Sequence, residues 1–109
     1  MEITMKQYDV YWIDLNPTTG SEVNKTRPCV IISPDEMNLY LNTIIIAPLT
    51  TTIKPYPFRI NCVIAKKEAS IALDQIRTID KVRIQKYIGR LNATTIEEVK
   101  NIIKEMLVD

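Results

Sequence analysis

Phe58-Arg59-Ile60-Asn61-Cys62-Val63-Ile64 puts Phe58, Ile60, Cys62 and Ile64 on one face and the residues between them on the other, the two-residue period of a strand that buries one side. Tyr8 to Leu15, Cys29 to Ser33, Thr43 to Ala47, Ser70 to Ile76 and Lys86 to Leu91 read as further strands, rich in β-branched and aromatic residues. So many short strands in 109 residues imply a barrel or a sandwich, because a small open sheet leaves unpaired edges. Two long polar segments separate them. One runs from Asn16-Pro17 to Thr26-Arg27-Pro28, the other from Thr50 to Pro57, and loops of this length in a small domain tend to be functional.

Ser33-Pro34-Asp35-Glu36 predicts a short helix capped by Ser33. Ile96, Val99, Ile102, Ile103, Met106 and Leu107 recur at helical spacing, and Thr95 with Glu98 fits a capping box before them. The expected architecture is therefore mainly β with short helices and a C-terminal amphipathic helix. Residues 1–109 are read as one domain, since the chain is long enough for one modest core and too short for two.

Hydrophobic residues make up 46% and charged residues 25% of the chain, a balance that argues against disorder and against a membrane span. The longest apolar runs, such as Ile44-Ile45-Ile46-Ala47, fall far below the roughly 20 residues a bilayer needs. Met1 to Lys6 lacks the apolar segment of a signal peptide, so a cytoplasmic location is expected. Cys29 and Cys62 lie far apart in strand-like runs and read as small buried hydrophobes without a disulfide. Net charge is +1, yet between Lys25 and Arg90 eleven Lys and Arg face five Asp and Glu, a basic middle that suits a phosphate-bearing partner.

The chain has no histidine. Histidine-based triads, Cys-His pairs, two-histidine ribonuclease chemistry and most zinc sites are thereby excluded. Its two glycines, Gly20 and Gly89, exclude a phosphate-binding glycine loop. The carboxylates are scattered without the spacing of a two-metal nuclease, so no metal and no cofactor is expected. What remains is chemistry by Arg, Thr, Ser, Asp and Glu. RNA cleavage suits that set, because the substrate's 2′-hydroxyl supplies the nucleophile and the protein positions groups and stabilises charge.

Three motifs then occur in order. Tyr8-Asp9-Val10-Tyr11-Trp12-Ile13-Asp14-Leu15-Asn16-Pro17, with Gly20-Ser21-Glu22 and Arg27-Pro28, closely resembles the opening of the MazF/PemK toxin family. Ala47-Pro48-Leu49-Thr50-Thr51-Thr52 resembles its second motif and Leu73-Asp74-Gln75-Ile76-Arg77-Thr78-Ile79-Asp80-Lys81 its third. The resemblance implies an SH3-like barrel of the MazF/CcdB toxin type and homodimerisation. It implies metal-independent, sequence-specific cleavage of single-stranded RNA to a 2′,3′-cyclic phosphate and a 5′-hydroxyl. It further implies a cognate MazE-like antitoxin whose acidic tail occupies the RNA groove.

By position, the resemblance makes Arg27 the stabiliser of the phosphorane charge and Thr50 a hydrogen-bond donor to the scissile phosphate. Glu22 is the candidate for base activation or RNA contact. Ser21, Asp74 and Gln75 fall where family members contact RNA, and Arg77 either steers phosphate or pairs with Asp80 or across a dimer. Tyr56 is the candidate for base stacking, whereas Trp12 and Phe58 are expected in the core. One branch of the family places arginine directly before the aspartate as an acid-base pair. Leu73 stands there instead, so Asp74 is read as a substrate contact. Two alternatives remain at this stage. A gyrase-directed toxin of the same fold would end in Trp-Gly-Ile, where this chain has Met106-Leu107-Val108-Asp109. The other is an SH3-like RNA-binding module without catalysis.

Overall fold

The structure is a computed structural model, and residues 5–15, 26–52 and 55–108 are described. Its elements in chain order are β1 (Asp9–Asp14), β2 (Thr26–Ile31), α1 (Asp35–Tyr40), β3 (Thr43–Thr50), β4 (Arg59–Ile64), β5 (Lys67–Ala72), β6 (Arg77–Asp80), β7 (Ile84–Arg90) and α2 (Ala93–Leu107). Short 3-10 turns at Leu73–Gln75 and Lys81–Arg83 flank β6. The strands form one antiparallel sheet in the order β4-β5-β3-β2-β1-β7, with β6 on β3 as well.

β3 is the strand about which the sheet bends. Thr43 to Ile46 pair with β6, whereas Leu49 and Thr50 pair with β5. Every residue from Ile46 to Leu49 is buried, because its neighbours alternate between two cores. One core holds Tyr8, Val10, Val30, Ala47, Leu49, Ile60, Ile64, Ile71 and Leu73 and is covered by Val99 of α2. The other holds Tyr11, Ile13, Cys29, Ile31, Ile44, Ile46 and Ile79. The curl brings β7 back to β4. A Cβ on Gly89 would stand 3.1 Å from Ile64 Cδ1, so the smallest side chain sits where the two ends of the sheet approach. The expected barrel is therefore a curled antiparallel sheet with a C-terminal helix packed on it.

Of the expected strand Ser70 to Ile76 only Ser70 to Ala72 is strand, the end of β5, and β6 is a further strand beyond those expected. The chain leaves β5 at Ala72, turns through Leu73–Gln75 and enters β6. Leu73 stays buried in the turn, which explains the unbroken apolar pattern across the break. β2 begins at Thr26 rather than Cys29, because β1 pairs back to Asp14 and Thr26. Pro28 is tolerated there opposite Trp12, since it begins the strand ahead of the Cys29–Ile31 segment paired with β3.

Both expected caps shift. Pro34 rather than Ser33 caps α1. Ser33 hydroxyl instead bonds the Asn38 side chain and accepts the Ile45 N–H at 3.1 Å, a buried polar link between α1 and β3. In α2, Asn92 is the cap and its side chain accepts the Thr95 N–H at 2.8 Å, so Thr95 lies inside the first turn. The buried face of α2 carries Thr95 and Val99 with Ile96, Ile102 and Ile103 partly covered. Met106 and Leu107 lie past the barrel and are exposed.

Candidate active site

Arg27 and Thr50 were expected on loops, and both belong to strands. Arg27 lies on β2 across from Ile13 of β1. Thr50 ends β3 across from Ser70 of β5. β2 and β3 pair from Ile31–Ile46 to Cys29–Pro48, and Arg27 and Thr50 each lie two residues past that last pair on neighbouring strands. Residues two apart on a strand point to the same side. The two side chains thus share a face. Since Asn61 of β4 opposes Ser70, Asn61, Ser70 and Thr50 form one polar row over three strands, with Arg27 facing the same way on neighbouring β2. Ile60, Ile71 and Leu49, their alternating neighbours, point into the core beneath.

Thr50 hydroxyl accepts the Thr52 N–H at 3.1 Å. Its own proton remains available to donate on the face that Arg27 shares. Ser70 is fully buried beside it, and among the described residues its hydroxyl has no hydrogen-bond partner. Arg77, across from Ile46, lies on the same side of the sheet. Asp80 does not pair with it. Odd separation sends the two to opposite faces, and the Asp80 carboxylate accepts the Val82 N–H at 3.0 Å.

Cys29 feels the charge of both guanidiniums. Burial pushes its thiol up to about 12, while the positive charges of Arg27 and Arg77 pull it the other way. Burial and the nearby Glu98 push Cys62 up to about 11. Both remain protonated at neutral pH and are poor nucleophiles. Among the described residues no three His, Cys, Asp or Glu side chains converge to hold a metal ion.

Asp74 sits in the turn after β5 and is gripped by Arg59 of β4. Arg59 Nε donates to Oδ1 at 2.7 Å and a terminal N–H donates to Oδ2 at 3.1 Å. The paired guanidinium holds the Asp74 carboxyl below its ordinary range. Gln75 follows, exposed in the same turn. Tyr56 is 43% exposed, stacks on Phe58 at 5.3 Å between centroids, and has the Arg59 guanidinium carbon 5.6 Å from its ring centre. Arg59 carries little signal in the sequence beyond its place on the polar side of the Phe58–Ile64 alternation. The same holds for Asn61 and Ser70.

Ser21 and Glu22 lie outside the described residues. Trp12, expected in the core, is 39% exposed and stands off both apolar clusters. Phe58 is half-buried and supports Tyr56. A shallow cleft of about 230 Å³ runs under it, lined by Pro57, Phe58, Ile102, Glu105 and Met106. That cleft adjoins α2, away from the polar row.

Among the described residues the molecule is a small curled-sheet protein that offers an arginine, a hydroxyl and a clamped carboxylate on one open face. Residues 6–107 match the PemK-like, MazF-like toxin family of type II toxin-antitoxin systems. The chain is 38% identical over 105 residues to an endoribonuclease MazF of Staphylococcus saprophyticus, covering 91% of this chain and 88% of that one. Among solved structures it is similar to the MazE-MazF structure (Form-II) from Deinococcus radiodurans, with a TM-score of 0.85 at 21% identity over 97% of each chain. It is also similar to a mycobacterial endoribonuclease in complex with its cognate antitoxin, with a TM-score of 0.79 at 21% identity over 94% of this chain and 93% of that one. At that identity the structural likeness establishes the fold. The chain belongs to the PemK-like, MazF-like toxin family.

Proposed function

We propose that this member is an endoribonuclease toxin of a toxin-antitoxin module that cuts single-stranded RNA at defined sequences through the RNA's own 2′-hydroxyl. The 2′-oxygen attacks phosphorus, the bond from phosphorus to the 5′-oxygen breaks, and the products are a 2′,3′-cyclic phosphate and a 5′-hydroxyl. The 2′-hydroxyl loses its proton and the departing 5′-oxygen gains one. Arg27 neutralises the charge that builds on the phosphoryl oxygens, and Thr50 donates a hydrogen bond to one of them. Glu22 is the candidate base and Ser21 a neighbouring RNA contact. Tyr56, Asp74, Gln75 and Arg77 hold the flanking nucleotides. No metal takes part.

The observation that carries this reading is that Arg27 and Thr50 stand on neighbouring strands, each two residues past the Cys29–Pro48 pair, and face the same side, so that two donors turn toward one phosphate. The reading extends to a homodimer, a MazE-like antitoxin partner and a cytoplasmic setting. The Staphylococcus relative named as an endoribonuclease and the Deinococcus structure titled as a MazE-MazF pair support it. No helix among the described residues is long and apolar enough to cross a membrane.

The test is incubation with a long single-stranded RNA in excess chelator, followed by mapping of the ends. Defined cuts with 5′-hydroxyl ends are expected, and a 2′-deoxy sugar at the cut position should block them. Cleavage of the deoxy-substituted RNA at that position would eliminate 2′-hydroxyl attack.

A further inference from the structure

Arg59 joins three parts of the candidate RNA face. Its planar fork meets both oxygens of Asp74 at 2.7 and 3.1 Å, a bidentate geometry that fixes the plane of the carboxylate. Its backbone N–H donates to the Tyr56 carbonyl at 3.1 Å, and its guanidinium lies against the Tyr56 ring. The arginine side chain is 11% exposed, whereas the carboxylate it holds is 30% exposed. The fork is thus covered and the carboxylate is the part that meets solvent. An ionised carboxylate accepts at about four lone-pair positions. Two are used by Arg59 and a third accepts a backbone N–H, which leaves acceptor capacity on the edge that lies beside an exposed aromatic ring.

The outward edge is therefore acceptor-only. A nucleobase stacked on Tyr56 meets it favourably when its own edge donates an exocyclic amino group. Adenine, cytosine and guanine carry an exocyclic amino group. Uracil offers a single ring N–H between two carbonyls, which a carboxylate repels.

We propose that Arg59 is a positioning residue for base selection, holding Asp74 and Tyr56 so that this subsite takes an amino-bearing base and rejects uracil. The inference rests on the reading of Asp74 and Tyr56 as RNA contacts. Arg59 and Ala72 pair two residues along the strands from the row of Asn61, Ser70 and Thr50, so the Arg59 backbone stands about 12 Å from that of Thr50 for strands about 4.8 Å apart. The subsite reads a nucleotide beside the cut rather than the scissile phosphate.

The experiment begins with wild-type cleavage of a random RNA pool and then uses four RNAs that differ at the one position Asp74→Asn alters. The ratio of kcat/KM for the preferred amino-bearing base over uracil is the readout, which a merely structural ion pair would leave unmoved. Arg59→Gln is expected to lower that ratio by at least about fivefold, the low end of what a good base-edge contact discriminates. Arg59→Lys, which keeps the stem and charge but not the fork, should lower it too and serves where the Gln variant melts early. Arg59→Gln combined with Asp74→Asn should show the ratio of Asp74→Asn alone.

An unchanged ratio in both Arg59 variants overturns the inference. So do independent, additive losses in the double variant, or a wild-type preference for uracil at that position. Absence of any wild-type cleavage would instead strike the endoribonuclease reading itself.

Discussion

Replacing Thr50 with valine removes one hydroxyl and little else. Valine keeps the β-branch and the strand preference, and the position is half-buried at the end of β3. Among the described residues the hydroxyl has one bond, from the exposed Thr52 N–H, which water satisfies in the variant. The stability cost should therefore stay within about 0.5 kcal/mol, a melting shift of no more than about 4 °C for a domain of this size. The catalytic cost is larger. A hydrogen bond to a charged group contributes about 1.5–3 kcal/mol, and at about 1.4 kcal/mol per tenfold its loss lowers kcat/KM by roughly 10- to 150-fold. The assay is single-turnover cleavage of a short RNA containing one mapped site, beside a thermal melt of each protein. Thr50→Ser, which restores the hydroxyl, should recover most of the rate. A Thr50→Val enzyme within twofold of wild type would refute the reasoning, because the outward proton of Thr50 would then have no phosphate to meet.

The remaining expectations concern other parts of the same framework. Arg27→Ala should fold normally and lose at least about a hundredfold in rate, as removal of a preorganised charge stabiliser does. A wild-type rate would take Arg27 out of the mechanism. The β4–β5 connection uses Ala65 and Lys66 at φ 50° and 67°, a two-residue turn that favours Asn-Gly. The double change Ala65→Asn with Lys66→Gly should raise stability by about 1–2 kcal/mol in a denaturant melt, and a fall would show that the turn is not strained. Asp74 ionises more readily in the folded protein than in the unfolded chain because of Arg59, so its contribution is complete above about pH 4 and is lost as pH falls through its lowered folded value. The stability gap between wild type and Asp74→Asn should be flat from pH 6 to 8 and shrink on acidification; a gap that grows toward low pH would give the shift the wrong sign.

Much of the fold was legible because the strands obey period two. The alternation of Phe58 to Ile64 marks β4 to within a residue at its start, and the spacing of Ile96, Val99, Ile102 and Ile103 marks α2. Where reading failed, a second force carried the same letters. Leu73 is apolar in a turn, since the turn itself packs on the core, so the apolar run Ser70 to Ile76 concealed where β5 ends. Ala65 and Lys66 form a tight turn without the glycine or asparagine that announces one. Met106 and Leu107 continue the helical period of α2 beyond the barrel's edge, where periodicity no longer implies burial.

The site was legible in its motif residues and hidden in their partners. Thr50 stands out because Pro48-Leu49-Thr50 is local, whereas its neighbour Ser70 is 20 positions away and is found through strand pairing. Arg59 and Asp74 are separated in the same way. This explains how a shallow face can run the proposed chemistry without a pocket. When the nucleophile belongs to the substrate, the protein must hold a few groups at fixed separations, and hydrogen-bonded strands fix cross-strand neighbours more firmly than loops do. Arg27 and Thr50 face one side from neighbouring strands, while Arg59, Asp74 and Tyr56 occupy the flank. On this arrangement substitutions of that pair slow cleavage of every RNA alike, and substitutions on the flank change which RNA is cut. A variant of Arg27 that altered sequence preference while keeping its rate would break that division, because it would place the phosphate and the read base at the same point on the sheet.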